Sequence, residues 1–286
     1  LAGDLPHNAG SFRRITVHLR DGCVVGRPSF PHSASMATTN VADRLVNLTQ
    51  SAFAQLGDGQ GLAEGGSAMA AGFAVVSGND FRRGGEPFIN QLMTAVNGGP
   101  ASPQADGWVT YGLPVVAGLM YRDSMELAEI KQPIHFESLR LTAASGGAGR
   151  FRGGPATEVI YGPRQDPMTV VIPSDCQINP ARGVRGGQDG GAAAQWKVSA
   201  NGDETKLPNV VQIELQAGEF VRGLEAGGGG YGSPHERAPE RVLKDVERGW
   251  ETVERARDIY GVALTGSVED DDLAVDRKAT EAARAG

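Results

Sequence analysis

Four consecutive glycines at positions 227–230 constrain this 286-residue chain more than any other feature of its sequence. Glycine loses more backbone entropy on folding than any other residue. A run of glycines in a folded domain therefore indicates a place where the backbone has no room for side chains. The run opens the segment GGGGYGSPHER, and a helix signal follows it, with Pro239 in the first turn and Gly249 at the end. We therefore predict a functional site at this loop. A flexible surface loop with solvated side chains is the alternative.

The side chains after the glycine run bring catalytic chemistry together within a few positions. His235 carries an imidazole that titrates near neutral pH, Glu236 a carboxylate and Arg237 a permanent cation. His235 or Glu236 can transfer a proton if burial tunes its pKa towards neutrality. We predict these three residues as the catalytic residues.

Two further glycine-rich loops carry arginines and indicate anion binding. They are SGGAGRFRGG at 145–154 and RGVRGGQDGG at 182–191. Guanidinium groups among bare backbone amides suit a carboxylate or a phosphate, although arginines in such loops also bind structural carboxylates. We expect the three loops to surround one small-molecule cavity. The predicted substrate- or anion-binding residues are Arg150, Arg152, Asp189, Gly229, Gly230 and Tyr231.

Short apolar runs between glycine or proline residues predict a sheet-rich chain. Glycine accounts for 41 of the 286 residues without a Gly-X-Y period, which favours a loop-rich β framework over collagen. The predicted fold class is α+β, with β-rich mixed sheets, glycine-rich loops, one long helix in the first half and a C-terminal helical pair. Strands are predicted at 12–19, 23–25, 68–76, 88–95, 125–130, 134–141, 157–161, 168–172, 193–198, 210–215 and 219–224.

The long helix of the first half is strongly amphipathic. Asn40 can cap it and Gly57 ends it. Its apolar residues recur at helical spacing and mark a single face. The residues of this face are Val41, Leu45, Leu48, Ala52, Phe53 and Leu56.

The chain reads as one domain followed by a charged tail. No repeat of fixed period and no clear linker divides residues 1–264, so we predict a single domain there. Residues 265–286 contain EDDD followed by alanines and mixed charge, which is typical of a solvated helix or a frayed tail.

Composition and spacing exclude several classes of partner. The net charge of −7, without a basic stripe, argues against nucleic acid. The longest apolar runs, at 68–76 and 113–120, fall short of the roughly 20 residues that a membrane span requires, so we expect no membrane partner. Cys23 and Cys176 form no CxxC pair, which fits a reducing cytoplasm. The five histidines lack metal-site spacing, and no glycine loop continues into a phosphate-loop lysine.

Four segments in order resemble the C-terminal half of the hydantoinase B family. They are NAGSFR at 8–13, MELAEIKQP at 125–133, LTAASGGAGRFRGG at 141–154, and the block from the glycine run to position 262. This family includes the matching part of 5-oxoprolinase and the large subunit of ketone carboxylases such as acetone carboxylase. The resemblance implies a heteromeric, ATP-dependent enzyme. A hydantoinase A type ATPase, which binds ATP and magnesium, phosphorylates a cyclic amide or an enolisable ketone, and the B part takes the activated intermediate to hydrolysis or carboxylation.

The sequence departs from the family pattern in ways that leave the substrate open. Ala144 replaces the acid of the usual DSGGAG, and Arg122 and Ser124 replace an Asn and a Pro before MELAE. Family B chains also carry an N-terminal half with a block that resembles a metal site, which has no match here. The resemblance therefore implies a divalent metal outside this chain, and an N-terminal half supplied by another subunit or another segment of the same precursor.

The leading functional prediction is a subunit or C-terminal portion of an ATP-dependent cyclic-amide hydrolase of the hydantoinase, 5-oxoprolinase or lactamase type. It would act on a small-molecule intermediate that the partner ATPase has phosphorylated. A portion of an acetone or acetophenone carboxylase large subunit stays open as an alternative. A non-catalytic scaffold, whose glycine loops serve close packing, is the third reading.

Overall fold

The computed structural model describes residues 10, 13, 15–23, 25–31, 41–67 and 69–285. The chain divides into two compact units, residues 1–42 and residues 43–286. None of the helices among the described residues combines the length and the apolar character needed to cross a membrane. The predicted boundary between a domain and a tail at position 264 stays a prediction.

The described part of the first unit contains no regular strand. Residues 15–20 form neither helix nor strand, and Ile15 and Val17 are 60% and 72% exposed. The predicted half-buried strand at 12–19 is therefore wrong over its described part. Phe12 lies outside the described residues.

The helices and strands of the described residues follow the chain in a sheet-rich order. They are α1 (Val41–Ala54), β1 (Val75–Asp80), β2 (Glu86–Gln91), α2 (Met125–Lys131), β3 (Ile134–Leu141), β4 (Thr157–Pro163), β5 (Met168–Pro173), β6 (Ala194–Val198), β7 (Glu204–Lys206), β8 (Val210–Leu215), β9 (Phe220–Leu224), α3 (Pro239–Glu247), α4 (Val253–Asp258), β10 (Leu264–Thr265), β11 (Ala274–Val275) and α5 (Arg277–Ala285).

Two antiparallel sheets share the main apolar core. The first has the strand order β2-β1-β5-β8 and the second has the order β3-β4-β9-β6-β7. Residues of β5 alternate between buried and half-buried positions, and Val170 and Ile172 point into the core. Val159 and Tyr161 of β4, in the second sheet, belong to the same core. The predicted α+β class is confirmed.

Several elements differ from the sequence prediction. Of the predicted strand at 68–76, whose first residue lies outside the described residues, only 75–76 belong to β1, and residues 71–73 form a short 3-10 helix. Residues 125–131 form helix α2 rather than a strand, because Ser124 Oγ accepts a hydrogen bond from Leu127 N at 3.2 Å and the segment MELAEIK contains strong helix formers. Strand β7 was not predicted, because its three residues are polar and exposed.

The predicted C-terminal helical pair is present, with α3 before Trp250 and α4 after it. Val242 of α3 and Ala256 of α4 are buried together with Tyr260 in a second apolar cluster. Val275 of β11 packs against this cluster. The segment predicted as a charged tail therefore contributes apolar contacts to the helical pair.

Candidate functional site

The glycine-rich loops converge at one place, but there they pack backbone against backbone, and the cavity that they were expected to surround is not among the cavities of the described residues. We call this place the glycine junction and define it as residues 98–99, 145–154, 182–191 and 226–232. A Cβ added to Gly228 would lie 1.8 Å from the carbonyl oxygen of Gly99. Real side chains do not approach backbone so closely, so these positions require glycine because another segment of backbone crosses there.

The amides of the glycine run bond within the protein. Gly229 N donates to Glu64 O at 2.8 Å, and Gly230 N donates to Gln188 O at 2.9 Å. Both glycines are buried. An amide that already donates to a carbonyl offers no hydrogen to a ligand, so the structure differs from the expected anion-binding role of these two residues.

Tyr231 lies at the end of the glycine run, and it links the glycine junction to the loop after α1. Its side chain is fully buried, and its backbone bridges Phe151 and Val184. The phenol donates to Gln60 O at 3.0 Å and accepts from Gly59 N at 3.1 Å. Tyr231 was predicted to bind a substrate or an anion. Its hydroxyl instead bonds within the protein and anchors the loop after α1.

Arg152 and Arg237 form ion pairs with the same carboxylate, that of Asp245, at the edge of the glycine junction. Asp245 Oδ1 lies 3.1 Å from Arg152 Nε, and Asp245 Oδ2 accepts from Arg237 Nη2 at 2.7 Å. Asp106 binds Arg237 in a bidentate pair, at 2.7 Å and 2.9 Å. We call these four residues the arginine–aspartate cluster. The arginine side chains are 5% and 1% exposed, so their charges are paired inside the fold.

Burial and ion pairing act in opposite directions on the pKa values of this cluster. Burial acts to lower the pKa of Arg237, but the hydrogen bonds and charge of Asp106, with the charge of Asp245, raise that pKa above its usual value. Burial acts to raise the pKa of Asp106, whereas the bonds from Arg237 and the nearby guanidinium charges hold it below its usual value. Both groups are therefore charged at neutral pH, and Arg237 cannot act as an acid or a base there.

A second ionic group is open to solvent. Arg150 Nη2 lies 2.8 Å from Asp58 Oδ1, and Arg150 Nη1 lies 3.5 Å from Glu236 Oε2. The Glu236 side chain is 55% exposed, and His235 is exposed as well. Asp189, also exposed, accepts a hydrogen bond at 2.9 Å from an amide of its own loop. His235 and Glu236 are accessible to a ligand, but the structure does not give them the burial on which tuned proton transfer was expected to depend.

A recess of about 270 Å³ opens beside the arginine–aspartate cluster along α3. Arg241, Lys244 and Arg248 line it at spacings of three and four residues, which place them on one side of the helix. Arg241 Nη2 binds Asp106 Oδ2 at 2.7 Å, and the Arg248 guanidinium lies 4.8 Å from the Trp250 ring centre. Four cations and two carboxylates line this recess, in a chain whose net charge is −7. Its chemistry suits a phosphate or a carboxylate.

The aromatic ring of Phe151 connects the two ionic groups. The guanidinium of Arg150 lies 5.6 Å from the centre of this ring, and that of Arg241 lies 5.2 Å from it. Sequence reasoning missed Arg241 as a site residue, although its helical spacing to the next two cations was a usable signal. Asp106 gave no signal, because its partner Arg237 is 131 residues away.

The described residues do not form a metal site. No group of three or more His, Cys, Asp or Glu side chains in this part of the chain is placed to hold a metal ion. Cys23 and Cys176 are free thiols. The residues of the two ionic groups therefore do not fit a resident divalent metal.

The fold and these loops define a β-rich domain whose glycine crossings carry paired ionic side chains. Residues 1–234 match the family model described as hydantoinase B/oxoprolinase. The chain therefore belongs to the hydantoinase B/oxoprolinase family, and the resemblance is confirmed.

Three comparisons show where the chain stands within this family. It is 29% identical over 287 aligned positions to caprolactamase subunit beta of Pseudomonas jessenii, which covers 98% of this chain and 48% of that subunit. The crystal structure of ATP-dependent caprolactamase from Pseudomonas jessenii superposes with a TM-score of 0.65 and 29% identity, over 79% of this chain and 38% of that chain. The acetone carboxylase alpha subunit of Xanthobacter autotrophicus is 24% identical over 233 aligned positions, or 69% of this chain and 30% of that subunit. The chain thus spans less than half the length of either curated relative.

Proposed function

We propose that this chain is part of the B-type subunit of an ATP-dependent cyclic-amide hydrolase. The observation that carries the proposal is the 29% identity to caprolactamase subunit beta over 98% of the chain. The substrate class would be a lactam, a hydantoin or oxoproline, activated by phosphorylation. Hydrolysis of the activated intermediate releases inorganic phosphate and opens the ring.

We propose that the recess along α3 binds the anionic part of the intermediate. Arg241, Lys244 and Arg248 provide cations around a volume that fits a phosphate group. Arg152 and Arg237 are neutralised by their aspartates, so in this proposal they position the wall of the recess and add partial charge to it. Preorganised cations of this kind stabilise negative charge that develops during a reaction.

Proton transfer is assigned to His235 or Glu236, because both are accessible. Arg150 lies 3.5 Å from Glu236 and would hold it towards the ligand, while Asp189 would keep the shape of its own loop. The buried Gly229 and Gly230 receive a packing role. Assembly with the other subunits would supply the desolvation that a tuned proton donor needs.

ATP and magnesium are assigned to a hydantoinase A type partner. Relatives with "ATP-dependent" in their descriptions support the use of ATP. The partner would phosphorylate the substrate, and this chain would receive the product. The cytoplasm is the proposed compartment, which the free thiols of Cys23 and Cys176 suit.

The test is an ATPase assay on the purified complex that contains this chain. We expect lactams to stimulate ATP cleavage without bicarbonate and to yield the ring-opened amino acid. Stimulation by ketones that requires bicarbonate would replace the hydrolase proposal with the carboxylase, which the acetone carboxylase relative supports. Lys244→Gln with Arg248→Gln, which weaken binding of the anionic intermediate, should lower the yield of ring-opened product per ATP cleaved, and Glu236→Gln should lower kcat.

A non-catalytic scaffold is the second candidate, and one observation favours it. The amides of the glycine run and the charges of Arg152 and Arg237 all have partners inside the protein. A scaffold would retain full turnover in the variants at 236, 244 and 248. It would lose assembly when residues that contact its partners are replaced.

A further inference from the structure

Helix α1 buries its polar face and exposes its apolar face. Asp43 and Asn47 are each 1% exposed, whereas Leu48 and Phe53 are 55% and 56% exposed. The apolar stripe of a helix in a folded domain normally faces the core. The stripe of α1 instead faces away from the described protein. Its exposed residues are Leu45, Leu48, Ala52, Phe53 and, just past the helix, Leu56.

Buried hydrogen bonds fix this orientation. Asn47 Nδ2 donates to Gly65 O at 2.8 Å, and Asn47 Oδ1 accepts from Gly65 N at 3.0 Å. Asp43 Oδ1 accepts from Val115 N at 2.7 Å. Turning the stripe inwards would break all three bonds and leave buried polar groups unpaired, which is unfavourable. The exposed stripe is therefore a fixed feature of the fold.

The apolar stripe continues onto a neighbouring segment. Val115, which is bonded to α1, is 43% exposed, and Leu119 is 71% exposed. Gln50 of α1 and Trp108 line the same recess of about 310 Å³, and Trp108 is 58% exposed. We call the whole patch the α1 apolar surface. It consists of Leu45, Leu48, Phe53, Leu56, Trp108, Val115 and Leu119.

We propose that the α1 apolar surface is the docking site for the other half of a hydantoinase B type polypeptide. Large contiguous apolar patches on a folded domain mark interaction surfaces. The aligned part is 48% of caprolactamase subunit beta, so that relative has a further segment of comparable length, which is long enough to cover a patch of this size. The side chains of the α1 apolar surface are aliphatic or aromatic, with Asp106 among the residues that line the adjoining recess, and a predominantly apolar patch is typical of the core of a permanent interface. This inference rests on the proposed function in one respect, since both require a B-type polypeptide larger than this chain.

The first test is photocrosslinking in the assembled complex. A benzophenone amino acid replaces Leu48, and the same amino acid at Ile89 serves as the control. Ile89 is 75% exposed on β2 and lies outside the patch. We expect position 48 to crosslink to peptides that match the half of caprolactamase subunit beta without a counterpart here. A crosslink to a second copy of this chain, to the ATPase subunit, or to nothing would overturn the proposal.

The second test separates docking from folding. Leu48→Glu with Phe53→Glu changes exposed side chains, so the thermal midpoint of the isolated chain should stay within about 2 °C of the wild type, as expected of surface substitutions. After proteolytic cleavage between the two halves, where they form one polypeptide, recovery of the other half in affinity purification should fall by about tenfold or more, because a charge in an apolar interface has no partner. Ile89→Glu should leave recovery unchanged. Equal recovery of the other half for all variants would refute the docking proposal. Neither test measures turnover, so a negative result in the ATPase assay would not refute the docking proposal.

Discussion

Glu225, a fully buried acid, should make the stability of this protein fall as the pH rises. Its carboxyl accepts hydrogen bonds from Gly72 N at 3.0 Å and Ala70 N at 3.3 Å, without an ion pair among the described residues. Burial raises the pKa of Glu225 to about 8 from a reference value of 4.5, although the two amide bonds act to lower it. At neutral pH the folded protein therefore holds Glu225 protonated.

The sign and size of the effect follow from proton linkage. Between the two pKa values the unfolded chain loses its proton while the folded protein keeps it, so the free energy of unfolding decreases with rising pH. Each pKa unit corresponds to about 1.4 kcal/mol, which gives a loss of about 2–3 kcal/mol between pH 5 and pH 7. The loss levels off above pH 8, where both states are ionised.

Replacing Glu225 by glutamine isolates this contribution. The side-chain amide has the shape of the neutral carboxyl and does not ionise, and its single oxygen accepts from one of the two backbone amides. Glu225→Gln should therefore lower the stability at every pH but remove the Glu225 contribution to the loss between pH 5 and pH 7. The measurement is urea unfolding at pH 5, 6 and 7, followed by tryptophan fluorescence. Glu137→Gln, at an exposed position of β3, is the control that should retain the wild-type pH dependence. Parallel pH profiles for wild type and Glu225→Gln would refute the reasoning.

Three further predictions concern the glycine junction and the arginine–aspartate cluster. Asp245→Asn leaves two buried arginines short of a carboxylate and should lower the free energy of unfolding by about 3–5 kcal/mol, measured by denaturant titration; a loss below 1 kcal/mol would contradict the pairing. Gly228→Ala, whose Cβ would lie 1.8 Å from Gly99 O, should prevent folding or cost several times the roughly 1 kcal/mol expected for Gly249→Ala, which has open space; equal thermal midpoints would count against the backbone crossing. Tyr231→Phe removes two hydrogen bonds and should cost about 1–3 kcal/mol, with faster amide exchange in the loop after α1; unchanged exchange would show that the phenol does not anchor that loop.

The sequence predicted the sheets well because their strands carry local signals. β3 and β8 appear at their predicted bounds, since apolar runs between glycine or proline residues mark both ends. Helix α2 was misread because alternating apolar residues in a short segment fit a strand as well as a helix. The cap at Ser124 decides between them.

The meeting of the glycine loops was predictable from the sequence, but the ion pairs beside them were not, and the predicted site residues stay a prediction. Glycine spacing correctly indicated that the loops converge, because bare backbone is needed at a crossing. The neutralisation of Arg237 by Asp106 depends on a contact between residues far apart in the sequence, for which no local pattern exists. The orientation of α1 was equally hidden, because an apolar stripe identifies an interface without saying which polypeptide covers it.

The glycine junction also governs when the chain acquires its shape during synthesis. Gly228 crosses Gly99 and the loop at 145–154, so the junction closes only after the ribosome has translated the segment 226–232. Closing such long loops loses chain entropy before stabilising contacts form, so we expect this step to occur late in folding. Nascent or truncated forms that stop before position 226 would lack the segment that crosses the other glycine loops. The convergence of the glycine loops therefore depends on translation having passed position 232.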